Sequence, residues 1–208
     1  VELTATKRVG FHKYTFPEAK DSKIIIDMEH GIGWDTPVDA MLVQENDSVI
    51  SGYRYSNGWA RDQRIYFTAV FSKPISKFEI TDGTEPVKNS KLIRRKMYGE
   101  VHFDGTTAGE QVFAKVALSP VSVENAKENM KVELPGWDFE QTIADADKSW
   151  NEALSKIMFK TDNTTDLRNF YTAMYHSMIA PSEFSDVNGD YFGSDKQIHK
   201  NGNFKNYT

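Results

Sequence analysis

The sequence of 208 residues contains no cysteine. Disulfide bonds, thiolate metal sites and cysteine nucleophiles are therefore excluded together, while the redox compartment stays open. Long apolar runs are also missing, because no stretch approaches the roughly 20 residues that a membrane-spanning helix needs. Basic charge is not in surplus either, since 25 Lys and Arg stand against 30 Asp and Glu. The resulting net charge of −5 argues against a protein that binds nucleic acid.

The remaining composition is that of an ordinary globular protein, with 39% hydrophobic and 12% aromatic residues. One short basic run, KLIRRK at residues 91–96, is interpreted as a solvated strand or loop. The sequence starts at Val1 inside a strand-like pattern and ends at NFKNYT without a closing element. Both ends suggest that this chain is an internal piece of a longer polypeptide. The rest of that polypeptide would then be a partner that the chain contacts.

The first two thirds of the chain have the alternation of β-strands. VELTATKRVGF alternates apolar and polar residues from Val1 to Phe11, which predicts one strand with one buried side. Seven further short runs, separated by turns rich in Gly, Pro, Asn and Asp, follow the same rule: KIIIDM, DAMLVQ, SVISGYRYS, RIYFTAVFS, SKFEIT, YGEVHFD and EQVFAKVALS. This spacing predicts an antiparallel β-sandwich over residues 1–134.

The period becomes helical towards the end of the chain. One short helix is predicted across VENAKENM, before the Pro135-Gly136 break. A linker helix is predicted within residues 135–160, with Asp138 as its N-cap and Gln141 as the return partner. A further helix is predicted over residues 166–179, where apolar residues form a broad stripe and Pro181 follows.

The loop SDVNGDYFGSDKQIH, residues 185–199, resembles a calcium loop because Asp186, Asn188 and Asp190 alternate. A calcium-binding loop of the EF-hand type needs Gly at position 6 and Glu at position 12. Counting from Asp186, these positions hold Tyr191 and Gln197, so a self-contained calcium site is not expected. Two interpretations stay open: an acidic surface turn that reverses at Asn188-Gly189, or one wall of a sugar site.

The histidines lack the spacing of a metal motif. His12, His30, His102, His176 and His199 are each interpreted as packed or surface residues. His199 follows the acidic loop and is the one kept as a candidate site residue.

The segment GWARDQ, residues 58–63, places Trp59 beside Arg61 and Asp62. Trp59 could be a sugar platform or a domain-interface anchor. The favoured interpretation is a buried Trp59 with Arg61 and Asp62 paired near it.

Four blocks in order carry a family resemblance: ELTATKRVGFHKYTFP, SGYRYSNGWARDQRIYFTAVFSKPI, LPGWDFEQTIADADKSWNEALSKI and NFYTAMYHSMIAPSEFSDVNGDYFGSDKQIHK. Together they resemble the calcium-dependent exo-α-mannosidases of glycoside hydrolase family 92. The resemblance implies a mainly β fold with α: an antiparallel β-sandwich, a linker helix and the first helix of an (α/α)₆ barrel. The barrel would begin within residues 161–208.

The resemblance also implies an enzyme that removes terminal α-mannose from mannosides or N-glycans with inversion, in the periplasm or outside the cell. Its general acid, general base and most ligands of its Ca²⁺ would lie outside this chain, so no catalytic residue and no metal ligand is assigned within it. Asp186 and Asp195 are candidates for accepting mannose hydroxyls, and Tyr191 for packing on the ring or hydrogen-bonding to it. The alternative is a carbohydrate-binding or purely structural β-sandwich module, and a third interpretation is a calcium-stabilised β domain.

Overall fold

The computed structural model describes residues 1–81, 86–87, 91–93, 97–202 and 205–207. The strands are β1 (Glu2–Ala5), β2 (Val9–Phe16), β3 (Ala19–Asp27), β4 (Thr36–Gln44), β5 (Val49–Asn57), β6 (Gln63–Phe71), β7 (Lys77–Thr81), β8 (Pro86–Val87), β9 (Lys91–Ile93), β10 (Tyr98–Thr106), β11 (Glu110–Ser119), β12 (Asp190–Phe192) and β13 (Ile198–Lys200). The helices are α1 (Val123–Glu133), α2 (Phe139–Leu154) and α3 (Thr164–Ile179).

Two antiparallel sheets form the predicted β-sandwich. The first has the order β1-β2-β11-β6-β5-β4-β9, and the second has the order β3-β10-β7-β8. Alternate side chains of both sheets meet in one core that includes Leu42, Ile50, Val101 and Phe103, all fully buried. The fold class predicted from the alternating pattern is therefore confirmed.

A second core lies on the other face of the first sheet. Phe11 of β2 packs edge-on against Phe139 of α2, with ring centroids 5.1 Å apart, and Met130 of α1 joins the same cluster. The first sheet is thus covered on both faces around β2 and β11. This explains why Val9 and Phe11 are buried although they do not face the second sheet.

The prediction of one strand over VELTATKRVGF is wrong. Residues 6–8 form a turn, and β1 and β2 pair with each other as a hairpin, Leu3 facing His12. Leu3 is 67% exposed, so the alternation in β1 does not correspond to a buried face. The turn forms because the Thr6 hydroxyl accepts from the Val9 amide at 3.2 Å and donates to the Glu133 carboxylate at 2.6 Å.

The helices largely follow the predicted pattern. Asp138 caps α2 by accepting from the Gln141 amide at 2.9 Å, whereas the Gln141 side chain donates to Asp145 and does not return to the cap. α3 begins two residues earlier than predicted, capped by Asn163. Its apolar stripe is only partly covered, because no residue of this described helix is buried and only four are half-buried: Leu167, Phe170, Tyr171 and Met174.

Part of the basic run KLIRRK forms β9, which pairs with β4, while residues 94–96 lie outside the described residues. TDGTEP, residues 81–86, is one of the turns predicted between the strands, and most of it lies outside the described residues too. Among the described helices, none is long and apolar enough to cross a membrane.

Candidate functional site

Residues 185–200 form a short hairpin with an anchored base and an exposed tip. β12 pairs with β13, so that Tyr191 faces His199. The base bends at Gly189, whose positive φ of 88° favours glycine. At Gly193 a Cβ would lie 2.7 Å from both Asp195 Oδ1 and His199 Cδ2, so a larger residue there would displace these two side chains.

Asp186 lies at the buried base of the hairpin and is only 3% exposed. Its Oδ2 accepts from the Ser119 hydroxyl at 2.7 Å and from the Asn125 amide at 2.9 Å. Its Oδ1 accepts from the Asn129 amide at 2.7 Å. The carboxylate therefore joins the hairpin to the end of β11 and to α1, and its predicted contact with a sugar hydroxyl stays a prediction.

The other alternating residues of the loop are also hydrogen-bonded to amides. Asp190 Oδ2 accepts from Asn188 Nδ2 at 3.0 Å and from Asn125 Nδ2 at 3.2 Å. The side-chain oxygen of Asn188, Oδ1, in turn accepts from the Asp190 backbone amide at 2.9 Å. These contacts arrange the alternating oxygens as a turn that reverses at Asn188-Gly189.

The tip of the hairpin brings three of the predicted site residues together. His199 Nε2 lies 2.9 Å from both oxygens of Asp195, and the rings of His199 and Tyr191 are 5.5 Å apart. The hydrogen bond to His199 lowers the pKa of Asp195, with help from the Gln197 backbone amide. Asp195 and His199 are exposed, so this trio offers a carboxylate, an imidazole and an aromatic face to solvent.

Arg8 binds the first residue of the hairpin, Ser185, and Glu183 just before it. Its guanidinium donates to Glu133 at 2.5 Å, to Glu183 at 3.0 Å and, through Nε, to the carbonyl of Ser185 at 2.6 Å. Its backbone amide also donates to Glu133 at 2.9 Å. The β1–β2 turn, the end of α1 and the start of the loop thus meet at one half-buried arginine.

A cleft of about 600 Å³ opens at the edge of the sandwich beside Trp59 and Trp34. Trp59 is 91% exposed and Trp34 is 68% exposed, with ring centroids 6.2 Å apart. The favoured interpretation of a buried Trp59 is therefore wrong: the tip of the β5–β6 loop points away from both cores. Asp62 pairs with Arg64 at 3.0 Å and not with Arg61 as expected.

The polar floor of this cleft is not apparent from the sequence. Arg54 donates to the Asp35 carboxylate at 2.6 Å and to the Met28 carbonyl at 3.0 Å. Gly58 lies so close to Asp35 that a Cβ there would be 2.9 Å from the Asp35 Cα. Arg54 and Asp35 lie in segments that are separated in sequence, so no local motif predicts that they pair. The only signal in the sequence is the Gly- and Trp-rich segment GIGWD, residues 31–35, which contributes Asp35 to the floor.

The cleft and the hairpin adjoin each other. Lys196 at the hairpin tip lies 3.3 Å from Asp62, in the loop that carries Trp59. Arg64 lies between the rings of Tyr55 and Phe192, 5.2 and 4.7 Å from their centroids. One continuous surface therefore carries the exposed indoles together with the hairpin tip.

The other histidines are placed differently. His12 is half-buried beside the Tyr14 hydroxyl at 2.9 Å, and burial lowers its pKa. His30 is exposed and pairs with Asp27, and His176 is exposed on α3. His102 is buried on the outer side of the second sheet, away from the hairpin.

Comparison with known proteins gives matches along the whole chain. A family model described as the glycosyl hydrolase family 92 N-terminal domain matches residues 1–119, and the model of that family's catalytic domain matches residues 125–208. α1, which packs on the sandwich, falls largely in the second match.

Solved structures of the same family superpose closely. A family GH92 α-mannosidase from Bacteroides thetaiotaomicron, in complex with mannoimidazole, is 34% identical with a TM-score of 0.92, over 99% of this chain and 28% of its own. An inverting family GH92 mannosidase from Bacteroides thetaiotaomicron VPI-5482 is 24% identical, with a TM-score of 0.86. The match again covers 99% of this chain and 28% of the other chain, and it shows that the two share a fold.

A curated relative from Arthroderma benhamiae is described as an uncharacterized secreted glycosidase. It is 38% identical over 215 residues, which cover 90% of this chain and 27% of the relative. This chain thus spans about a quarter of the length of the proteins it matches. The two adjacent family matches, from residue 1 to 119 and from 125 to 208, establish that the chain belongs to glycoside hydrolase family 92.

Proposed function

We propose that this chain is part of an exo-α-mannosidase that removes terminal α-mannose from mannosides or N-glycans with inversion. The observation that carries the proposal is the continuous surface of exposed indoles, the Arg54–Asp35 pair and the hairpin tip. Sugar sites combine such aromatic faces with hydrogen-bonding groups that fix orientation. The relative solved with mannoimidazole, 34% identical over nearly the whole chain, supports the substrate class.

The chemistry itself would require residues beyond this chain. An inverting glycosidase uses two carboxyl groups roughly 6.5–9.5 Å apart, one as acid and one as base for a water molecule. No residue of this chain is assigned to either role, and we propose that the chain alone is inactive.

We also propose that the longer protein is exported, which agrees with the description of one relative as secreted.

Within this chain, Tyr191, Asp195, His199 and Trp59 are the proposed substrate contacts. Trp59 would stack on a sugar face, and Asp195, whose pKa is lowered by the hydrogen bond to His199, would accept hydroxyl hydrogen bonds. Asp186 would act indirectly, by fixing the base of the hairpin.

The calcium ion that the family implies does not fit the hairpin residues. Both carboxylate oxygens of Asp186 and one of Asp190 accept from asparagine amides, so most of the oxygens that a cation would need are already hydrogen-bonded. We therefore propose that Ca²⁺ in the longer protein is held by residues outside this chain.

Removing calcium should abolish activity. In the chain extended at both ends to the length of its relatives, EDTA is expected to lower α-mannosidase activity at least about 100-fold. Measurement with an aryl α-mannoside, followed by separate readdition of Ca²⁺ and Zn²⁺, checks this. Rescue by Ca²⁺ alone is expected, and full activity in EDTA would count against the family's chemistry in this protein.

Replacing Trp59 with alanine should weaken substrate binding in the extended enzyme. Loss of one stacking face is expected to lower kcat/KM about 10–100-fold, or about 1.4–2.7 kcal/mol, mainly through KM. Trp59→Phe should recover most of the loss. The melting temperature should stay near that of the wild type, because the indole is 91% exposed.

The matched control is Trp137→Ala. Trp137 packs on Phe11 and lies over the Lys115 ammonium at 4.2 Å, so its loss should lower stability and leave KM unchanged. If Trp59→Ala instead lowers the melting temperature with KM unchanged, Trp59 is a domain-interface anchor and not a sugar platform.

The second candidate function is a carbohydrate-binding module, which the exposed Trp34–Trp59 pair favours. Calorimetry of this chain with mannose and α-mannobiose distinguishes the two functions. Micromolar binding that Trp59→Ala removes would favour a module, whereas absence of binding is expected for one part of a larger active site.

A further inference from the structure

A group of three potential metal ligands lies on the outer face of the second sheet, away from the cleft and the hairpin. Glu100 and His102 are two residues apart on β10, so their side chains point to the same side. Glu79 of the neighbouring strand β7 stands directly opposite Glu100. Among the described residues, this is the one group of three such side chains whose ligand atoms all lie within 4.8 Å of one another.

His102 is the unusual member of the group. It is only 8% exposed, and its Nε2 is buried without a hydrogen-bond partner within the described part of the chain. Nε2 lies 3.5 Å from Glu79 Oε2 and 3.4 Å from Glu100 Oε2. The other ring nitrogen, Nδ1, lies 2.9 Å from Asp21 Oδ1.

The distances distinguish two explanations for the unpartnered nitrogen. An imidazolium that donated to these carboxylates would approach them to about 2.7–2.9 Å. Ligand atoms of a tetrahedral metal site with bonds of about 2.1 Å are separated by about 3.4 Å. The observed separations of 3.4 and 3.5 Å correspond to the second case.

The surroundings agree with a bound cation. Metal-binding histidines usually donate their other N–H to a carboxylate, which is the position of Asp21. Two glutamates directly opposite on neighbouring strands repel each other. In the structure, Lys23 lies 2.7 Å from Glu100 and Lys77 lies 2.7 Å from Glu79. Both ammonium groups are near the surface, with side chains 44% and 60% exposed, and can move away without leaving a buried charge.

We propose that His102 Nε2 and one carboxylate oxygen each of Glu79 and Glu100 bind a divalent transition-metal ion of the Zn²⁺ class, which links β7 to β10. An imidazole ligand favours such ions over Ca²⁺ and Mg²⁺, which take oxygen ligands. The site is therefore distinct from the calcium proposed above in both ligand chemistry and location. It does not depend on the proposed enzymatic function.

The first test uses untagged protein stripped with EDTA and then dialysed. Titration with Co²⁺ should produce the visible absorption of a low-symmetry site at one equivalent, and Zn²⁺ should displace it. A hundredfold excess of Zn²⁺ over Kd should raise the melting temperature by roughly 5–10 °C, whereas Ca²⁺ should not. Absence of the Co²⁺ band, or an equal rise with Ca²⁺, would overturn the proposal.

Variants give the second test. Glu100→Gln and His102→Gln should each remove the Co²⁺ band, while the matched control His30→Gln, at an exposed His–Asp pair, should keep it. Lys23→Met removes a competing ammonium and should tighten Co²⁺ binding several-fold. If His102→Gln does not fold, Glu100→Gln and Lys23→Met decide the outcome: unchanged binding in both would refute the site.

Discussion

Replacing Asp186 with alanine is expected to lower the free energy of unfolding by about 3–5 kcal/mol. The substitution removes a buried carboxylate and leaves the Ser119 hydroxyl and the amides of Asn125 and Asn129 without their acceptor. Each such donor costs about 1–3 kcal/mol when it stays buried and unpaired. Asp186→Asn should also be strongly destabilising, because its amide would face at least one of these donors.

Urea denaturation followed by circular dichroism measures the effect of Asp186→Ala. Asp195→Ala is the matched control, since Asp195 lies in the same hairpin but is exposed, and its midpoint should stay close to that of the wild type. Equal stability of Asp186→Ala and the wild type would show that the carboxylate does not anchor the hairpin. In that case its predicted role as a sugar ligand would become the better explanation.

Replacing Arg8 with alanine is expected to lower the free energy of unfolding by about 3–4 kcal/mol. Arg8 and Glu133 are each only 12% exposed in their side chains, so removal of the guanidinium leaves a largely buried carboxylate with fewer donors. The carbonyl of Ser185 also loses its donor at 2.6 Å. Arg8→Lys should recover only part of the loss, because one ammonium cannot reproduce the planar fork.

The neighbouring Lys7 provides the control for Arg8. Its side chain is 65% exposed and contacts Glu183 at 3.5 Å, so Lys7→Ala should be close to neutral. In limited proteolysis, Arg8→Ala should expose the segment around Ser185 to cleavage, which Lys7→Ala should not do. Protection of that segment in Arg8→Ala would contradict the role assigned to the arginine.

The sequence predicts most strands because alternation follows from burial of one face against the second sheet. The pattern is misleading at residues 6–8, where Thr6 and Arg8 form the turn with Glu133, which lies 127 and 125 residues further along the chain. Contacts between residues so far apart in the sequence produce no periodic pattern of apolar and polar residues. The same reason explains why the partly covered apolar stripe of α3 could not be distinguished from a buried one in the sequence.

The candidate site is predictable only in part. The sequence pattern singles out the acidic loop, and the structure brings Tyr191, Asp195 and His199 together because β12 and β13 pair. Asp186 differs from Asp195 only in its surroundings, which come from α1 and the end of β11 and not from the loop itself. His102 has no motif spacing, since its neighbours Glu79 and Asp21 lie on other strands.

The hydrogen bonds of Arg8 have a consequence for the order in which the protein forms during synthesis. The arginine is made long before its partner Glu183, which follows 175 residues later. At about 5–20 residues per second, a ribosome needs roughly 9–35 s to reach it. The last strand of the two sheets, β11, ends at Ser119, so the sandwich can form in the later part of this interval, before Glu183 and Ser185 have been made. Docking of the hairpin is therefore a late step in the formation of each molecule, and released fragments that end between residues 134 and 182 should contain a folded sandwich with this surface still open.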